Sequence, residues 1–289
     1  MREAVIVSTA RTPIGKAFRG AFNDTQAQEM AGHAIAEAVK RSKVSKEEID
    51  DVIIGAAGQQ GSQQGNIARQ SLLRAGLPVS VAGMSLDRQC ASGMMAIATA
   101  AKEITEDGMT ITVGGGVESV SLVRNENFRM DRARDPWLEE NIPALYMTMI
   151  ETAENVAKRY GISREAQDEY SLQSQMRTAR AQQNGYMDKE IVPLKSRMKY
   201  KDKETGEISS HDVCIEKDEG NRPSTTFEGL SALKPVFKDG IYLKEGEYIT
   251  AGNASQLSDG AAASVLMEAR EAEKRNISPL GAYRGIAVA

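Results

Sequence analysis

Apolar positions along the chain arrive in two alternating rhythms. The run AVIVSTA, residues 4 to 10, is apolar enough to be a buried strand, and Pro13 and Gly15 in RTPIGK end it. DTQAQEMAGHAIAEAVKRS repeats its apolar residues at helical spacing, and Thr25 and Gln28 stand in capping-box register at its start. A second box, Ser45 to Glu48, precedes the strand DVIIGAA, and GNIARQSLLRAG reads as a short helix stopped by Gly76 and Pro78. VAGMSLD predicts a strand that runs into Cys90 and a helix, and TITVGGGVES predicts a strand ending in glycines. Strands alternating with helices over residues 1–118 make this a layered α/β domain.

From about residue 119 the pattern changes. RNENFRMDRARDPWLEEN is polar and irregular, and a long helix follows with Ser163 as N-cap and Gly185 as terminator. KSRMKYKDKETGEISSHD reads as a hairpin and loop; its run Lys195, Arg197, Lys199, Lys201 and Lys203 reads as a solvated face. Residues 119–250 are therefore expected to be one inserted module. Residues 251–289 resume the strand–helix–strand rhythm, as the end of the first core domain and the start of a second one. The final YRGIAVA is an apolar strand with nothing after it, so a truncated second domain is expected.

Composition narrows the picture without choosing a chemistry. With 41% hydrophobic and 26% charged residues, the 289-residue chain is an ordinary globular protein able to build a full core. A net charge of −4 argues against general nucleic-acid binding, and no apolar stretch nears the roughly 20 residues of a membrane span. The start carries no signal-peptide pattern, so the cytoplasm is the expected location. Two cysteines, Cys90 and Cys214, make no disulfide framework, and neither lies in a CxxC or beside a histidine pair, so no metal site is expected.

Cys90 stands at a strand–turn–helix junction, between Arg88-Gln89 and the small residues Ala91, Ser92 and Gly93. The first turn of a helix favours thiolate over thiol, and small neighbours admit a substrate closely. A cysteine in apolar surroundings is also an ordinary small core residue, and the spacing leaves both readings open. QCASG has the wrong order for a caspase motif, and GGGVES lacks the third glycine of a dinucleotide fingerprint.

Five blocks in register resemble the thiolases, the acetyl-CoA C-acyltransferases that make or cleave 3-ketoacyl-CoA. They are STARTPIGKAFRG, RQCASGMMAI, GGGVESVS, TAENVAKRYGISREAQDEYSLQSQ, and LKPVF followed by ITAGNASQLSDGAAASVLM. The resemblance implies a five-layered αβαβα fold of two similar halves, with a CoA-binding loop domain inserted in the first half and the second half incomplete here. It implies Cys90 as the nucleophile that takes an acyl group from acyl-CoA, and acetyl-CoA as the second substrate. It needs no cofactor beyond these CoA thioesters. Carried over by position, Arg222 matches an arginine near the nucleotide end of CoA. Phe237 matches an aromatic near the pantetheine, Ser255 a serine that hydrogen-bonds it, and Met149 a methionine at the pocket rim. The family forms homodimers or homotetramers, and RNENFRMDRARDPW is expected to be the loop that pairs dimers.

Departures from the pattern matter as much. Thr148 and Ile150 stand where many acetoacetyl-CoA thiolases have histidine and glycine, and Gly229 replaces a pocket serine. Longer or branched acyl chains are therefore left open. The family's NEAF-like asparagine, GHP histidine and CxG cysteine lie beyond the last matched block; His33 and His211 match none of them, and Cys214 is given no catalytic role. The chain alone is expected to hold a nucleophile without its general bases, and so to be inactive by itself. A ketoacyl synthase acting on carrier-bound acyl groups is the nearest rival reading. A non-catalytic thiolase-like protein that binds acyl-CoA or lipid is the rival from a different class.

Overall fold

Neighbouring side chains along two strands part to opposite faces of one sheet, which is how a sheet covered on both sides is built. Val52 and Ile54 enter one core cluster while Ile53 enters the other; Val265 and Met267 likewise part from Leu266. The computed structural model describes residues 2–288. In chain order its elements begin with β1 (Ala4–Arg11), β2 (Gly15–Lys16), α1 (Ala27–Ser42), β3 (Asp51–Gly55) and α2 (Ile67–Arg74). There follow β4 (Ala82–Leu86), α3 (Ser92–Thr105), β5 (Ile111–Ser119), α4 (Val120–Val123) and α5 (Pro136–Asn141). Next are α6 (Met149–Tyr160), α7 (Arg164–Gln183), β6 (Leu194–Lys201), β7 (Ile208–Ile215) and α8 (Phe227–Ser231). The last are β8 (Ser258–Glu268), α9 (Ala269–Lys274) and β9 (Gly281–Ala282).

The chain divides into two compact units. The first comprises residues 1–128, 188–220 and 257–289, and the second residues 129–187 and 221–256. The expected module of 119–250 is thus split, because the β6–β7 hairpin packs with the first unit. Its Leu194 and Ile215 enter the main core, and Asn23 exchanges two hydrogen bonds with the backbone of Lys199.

The sheet of the first unit has the order β4-β3-β5-β8-β1-β9, with β2 paired to β8. β3 runs parallel to β4 and to β5, whereas β8 is antiparallel to both β5 and β1. α1 and α2 pack on one face and α3 on the other, giving three layers. Of the strand–helix–strand rhythm expected after residue 250, the first strand and the helix are present, and β8 lies between β5 and β1; the expected strand YRGIAVA is not formed over residues 283–288, and the closing strand is the two-residue β9 just before it, paired with β1. The capping box at Thr25 is not formed. α1 starts at Ala27 with Gln26 at its cap, and the Thr25 hydroxyl bonds Ser196 instead. At the second box the Glu48 carboxylate does accept from the Ser45 N–H at 2.9 Å.

Candidate active site

The nucleophile candidate is held by a backbone-on-backbone contact. A Cβ added to Gly55 would lie 2.2 Å from the carbonyl carbon of Ser92, and one on Gly114 2.6 Å from the Cα of Ile97. At Gly116 it would lie 3.1 Å from the Cα of Gly93. The glycines of β3 and β5 therefore form a floor that lets the first turns of α3 rest on the sheet itself. GGGVES is this floor, which is why it lacks the spacing of a nucleotide loop.

Immediately before α3 the chain turns sharply. Gln89 adopts φ 48°, a left-handed conformation that costs a non-glycine residue energy and persists only where neighbours hold it. They do. Asp87 accepts from the Gln89 N–H at 2.6 Å; the Ser92 hydroxyl accepts from the Arg88 N–H at 2.8 Å and donates to the Gln89 carbonyl at 2.6 Å. Cys90 sits at the apex of this elbow, exposed, one residue before the N-cap Ala91. The first N–H groups of a helix lack intrahelical partners, and Cys90 lies two residues before α3 begins.

Strand directions place further polar groups on the same edge of the sheet. β1, β3, β4 and β5 all end there and β8 begins there, the edge at which open α/β sheets carry their ligands. Glu118 accepts from the N–H groups of Ala57 (2.9 Å) and Gly58 (3.3 Å) and from Gln63 (2.9 Å), fixing the loop after β3. Asp259, fully buried, accepts from the Ser121 N–H and hydroxyl, and Ser121 accepts from the N–H of Phe18, whose φ is 66°. Burial raises the Asp259 carboxyl above the usual range against the lowering effect of its bonds to Ser121. Glu118, Ser121, Phe18 and Asp259 lie within the family-like blocks of the sequence, but no local spacing marks them as anchors.

In the second unit, Met149 opens α6 behind the N-cap Thr148 and is 77% exposed. Two glutamates on the same helix are buried. Glu151 accepts from the N–H groups of Ile241 (3.0 Å), Tyr242 (2.6 Å) and Leu243 (3.0 Å). Glu154 accepts from Glu247 (2.9 Å), Tyr248 (3.1 Å) and Ile249 (2.7 Å). Burial pushes the Glu151 carboxyl up, but the three N–H donors outweigh it and hold the group below its ordinary range. Phe237 is buried between Gly240 and Gly246, where an added Cβ would meet it at 2.4 and 2.9 Å. The aromatic expected at the pantetheine is thus packed into its own hairpin.

Ser255 is exposed and follows a turn held from below. Asn253 accepts from the Thr250 N–H at 2.7 Å and donates to the fully buried Asp168 at 3.0 Å. Asp168 in turn accepts from Arg164 at 2.8 Å. Arg222 is exposed on a loop anchored by Gln175, which accepts from its N–H at 2.8 Å. Met149, Phe237, Ser255 and Arg222 therefore share the second unit, and Cys90 belongs to the first. His33 lies on α1 and His211 on β7, where it bonds Ser209 at 3.0 Å. Among the described residues no cluster of three histidine, cysteine or acidic side chains could hold a metal ion, and no helix is long and apolar enough to cross a membrane.

Residues 4–270 match the family model "Thiolase, N-terminal domain". The 3-ketoacyl-CoA thiolase of Bacillus subtilis is 39% identical over 294 residues, covering 100% of this chain and 71% of its own length. The beta-ketoadipyl-CoA thiolase of Pseudomonas aeruginosa is 38% identical over 303 residues, again with 71% of its length matched. The crystal structure of the Bacillus anthracis acetyl-CoA acetyltransferase superposes with a TM-score of 0.79 at 36% identity, over 97% of this chain and 69% of that one.

Proposed function

This chain belongs to the thiolase family, and we propose that it performs acyl transfer between CoA thioesters with Cys90 as the acyl-carrying nucleophile. The observation that supports this most is the elbow. An exposed sulfur stands at the N-terminal end of a 14-residue helix, on a strained turn that three hydrogen bonds maintain. Attack by the Cys90 sulfur on the carbonyl carbon of acyl-CoA forms the new thioester and releases CoA thiolate. The exchange is close to even in energy because both sides hold one thioester and one thiolate. The carbanion of acetyl-CoA then attacks the acyl-cysteine, forming 3-ketoacyl-CoA and freeing Cys90; thiolysis is the reverse. Arg222, Ser255, Phe237 and Met149 are proposed to meet CoA and the acyl group, with Phe237 acting by holding its hairpin in shape.

The step at Cys90 balances between the two reactants, the thiol proton ending on the released CoA thiolate. The carbanion step needs a base, and neither His33, on the first long helix, nor His211, on the hairpin, lies on the segment bearing the elbow. We therefore propose that this chain alone stops at the acyl-cysteine. Mass spectrometry after incubation with acetyl-CoA tests both halves. One acetyl group on the peptide containing Cys90, absent in Cys90→Ala and with no 3-ketoacyl product, is the expected result. Unchanged acyl-CoA binding in Cys90→Ala with no adduct in the parent chain would favour the binding-protein reading.

A further inference from the structure

α6 carries two buried carboxylates that accept from backbone N–H groups of a segment some ninety residues away. An ionised carboxylate has about four lone-pair sites, so a cage of three N–H donors nearly fills each of them. The caged residues are the tip, 241–243, and part of the returning arm, 247–249, of the irregular hairpin that encloses Phe237, closed further by Gly246 N–H to Phe237 carbonyl at 3.0 Å and Val236 N–H to Ile249 carbonyl at 2.9 Å. Ile249, the last donor to Glu154, directly precedes Thr250, whose turn Asn253 and Asp168 secure two residues before Ser255. Met149 lies on the same helix, two residues before Glu151. One helix thus sets the places of Met149, the Phe237 hairpin and the Ser255 turn.

We infer that Glu151 and Glu154 are positioning residues that hold the Phe237 hairpin and the Ser255 turn ready for the pantetheine arm of CoA, an inference that rests on the CoA reading above. Neither glutamate touches the ligand. A site kept in its bound shape beforehand does not spend binding energy on ordering that loop. Neutralising either carboxylate loosens the pantetheine side alone, because the Arg222 loop is anchored separately through Gln175.

Calorimetric titration of the whole chain with two probes tests this. One is desulfo-CoA, which cannot react with Cys90; the other is 3′-phospho-ADP, the same nucleotide without pantetheine. The parent chain is expected to prefer desulfo-CoA. Glu154→Gln is expected to lose about tenfold in affinity for desulfo-CoA while its 3′-phospho-ADP affinity stays the same. Glu151→Gln, which frees only residues 241–243, is the second variant should Glu154→Gln fail to fold, and the same one-sided loss is expected. A variant that keeps the full preference for desulfo-CoA, or that weakens both probes equally, overturns the positioning role and leaves the CoA reading standing. A parent chain that binds the two probes alike removes the pantetheine reading and this inference with it.

Discussion

At the other end of α3 from Cys90, one side chain is poorly accommodated. Oε2 of Glu103 is buried with no hydrogen-bond partner, and burial together with the charges of Asp51 and Asp107 pushes this carboxyl up to about 7. An unfolded glutamate titrates near 4.3. Between those two values the folded chain keeps a proton that the unfolded chain releases, so this residue makes stability fall as pH rises, with the loss complete above about pH 7. Urea unfolding from pH 4.5 to 8 is expected to show Glu103→Gln gaining on the parent across that interval and holding its lead above it. Parallel curves for the two chains would refute this account. Single residues also mark how far the sequence could be read. Cys90 was legible because a strand, a turn and a helix meet at it within a few residues. Glu151 and Glu154 were not, because the groups they hold lie ninety or more positions away and no local pattern connects them.

Most elements were legible for the same local reason. β1, β3, β4, β5 and α7 fall where apolar periodicity and Ser163 place them, and the Ser163 hydroxyl caps α7 at Ala166 as its position predicts. The Thr25 cap failed because a tertiary partner, Ser196, took the hydroxyl. Sheet order was not legible at all, since the slot filled by β8 is decided by faces that meet across more than a hundred residues. The glycine floor is the element-scale feature that admits the sharpest test. Gly55→Ala forces a carbon to within 2.2 Å of backbone that no rotamer change can move aside. It is expected to destabilise the fold by about 3 kcal/mol or more, the upper range for overpacking, and to slow acetylation of Cys90 by shifting α3. Gly281→Ala, with nothing within 4 Å and no left-handed φ, is the control and is expected to be nearly neutral. Chemical unfolding and the rate of adduct formation read the two effects separately.

Over the whole molecule, the first unit is sewn from three stretches of chain, and its central strand comes from the last of them. Pairings so distant in sequence close late, because the loop entropy must be met before the contacts form. In refolding followed by pulse-labelled hydrogen exchange, amides of β1 and β8 are expected to gain protection together in the slowest phase. Protection of β1 ahead of β8 would contradict that order. The same arrangement matters on the ribosome. β5 is complete at Ser119 and β8 begins at Ser258, so at ordinary synthesis speeds roughly seven to thirty seconds pass between them. During that interval β1 and β5 await the strand that will lie between them, each with an unpaired edge. The nascent chain is then most open to wrong partners, and a chaperone acting at the exit tunnel has its greatest effect while the second unit is being made.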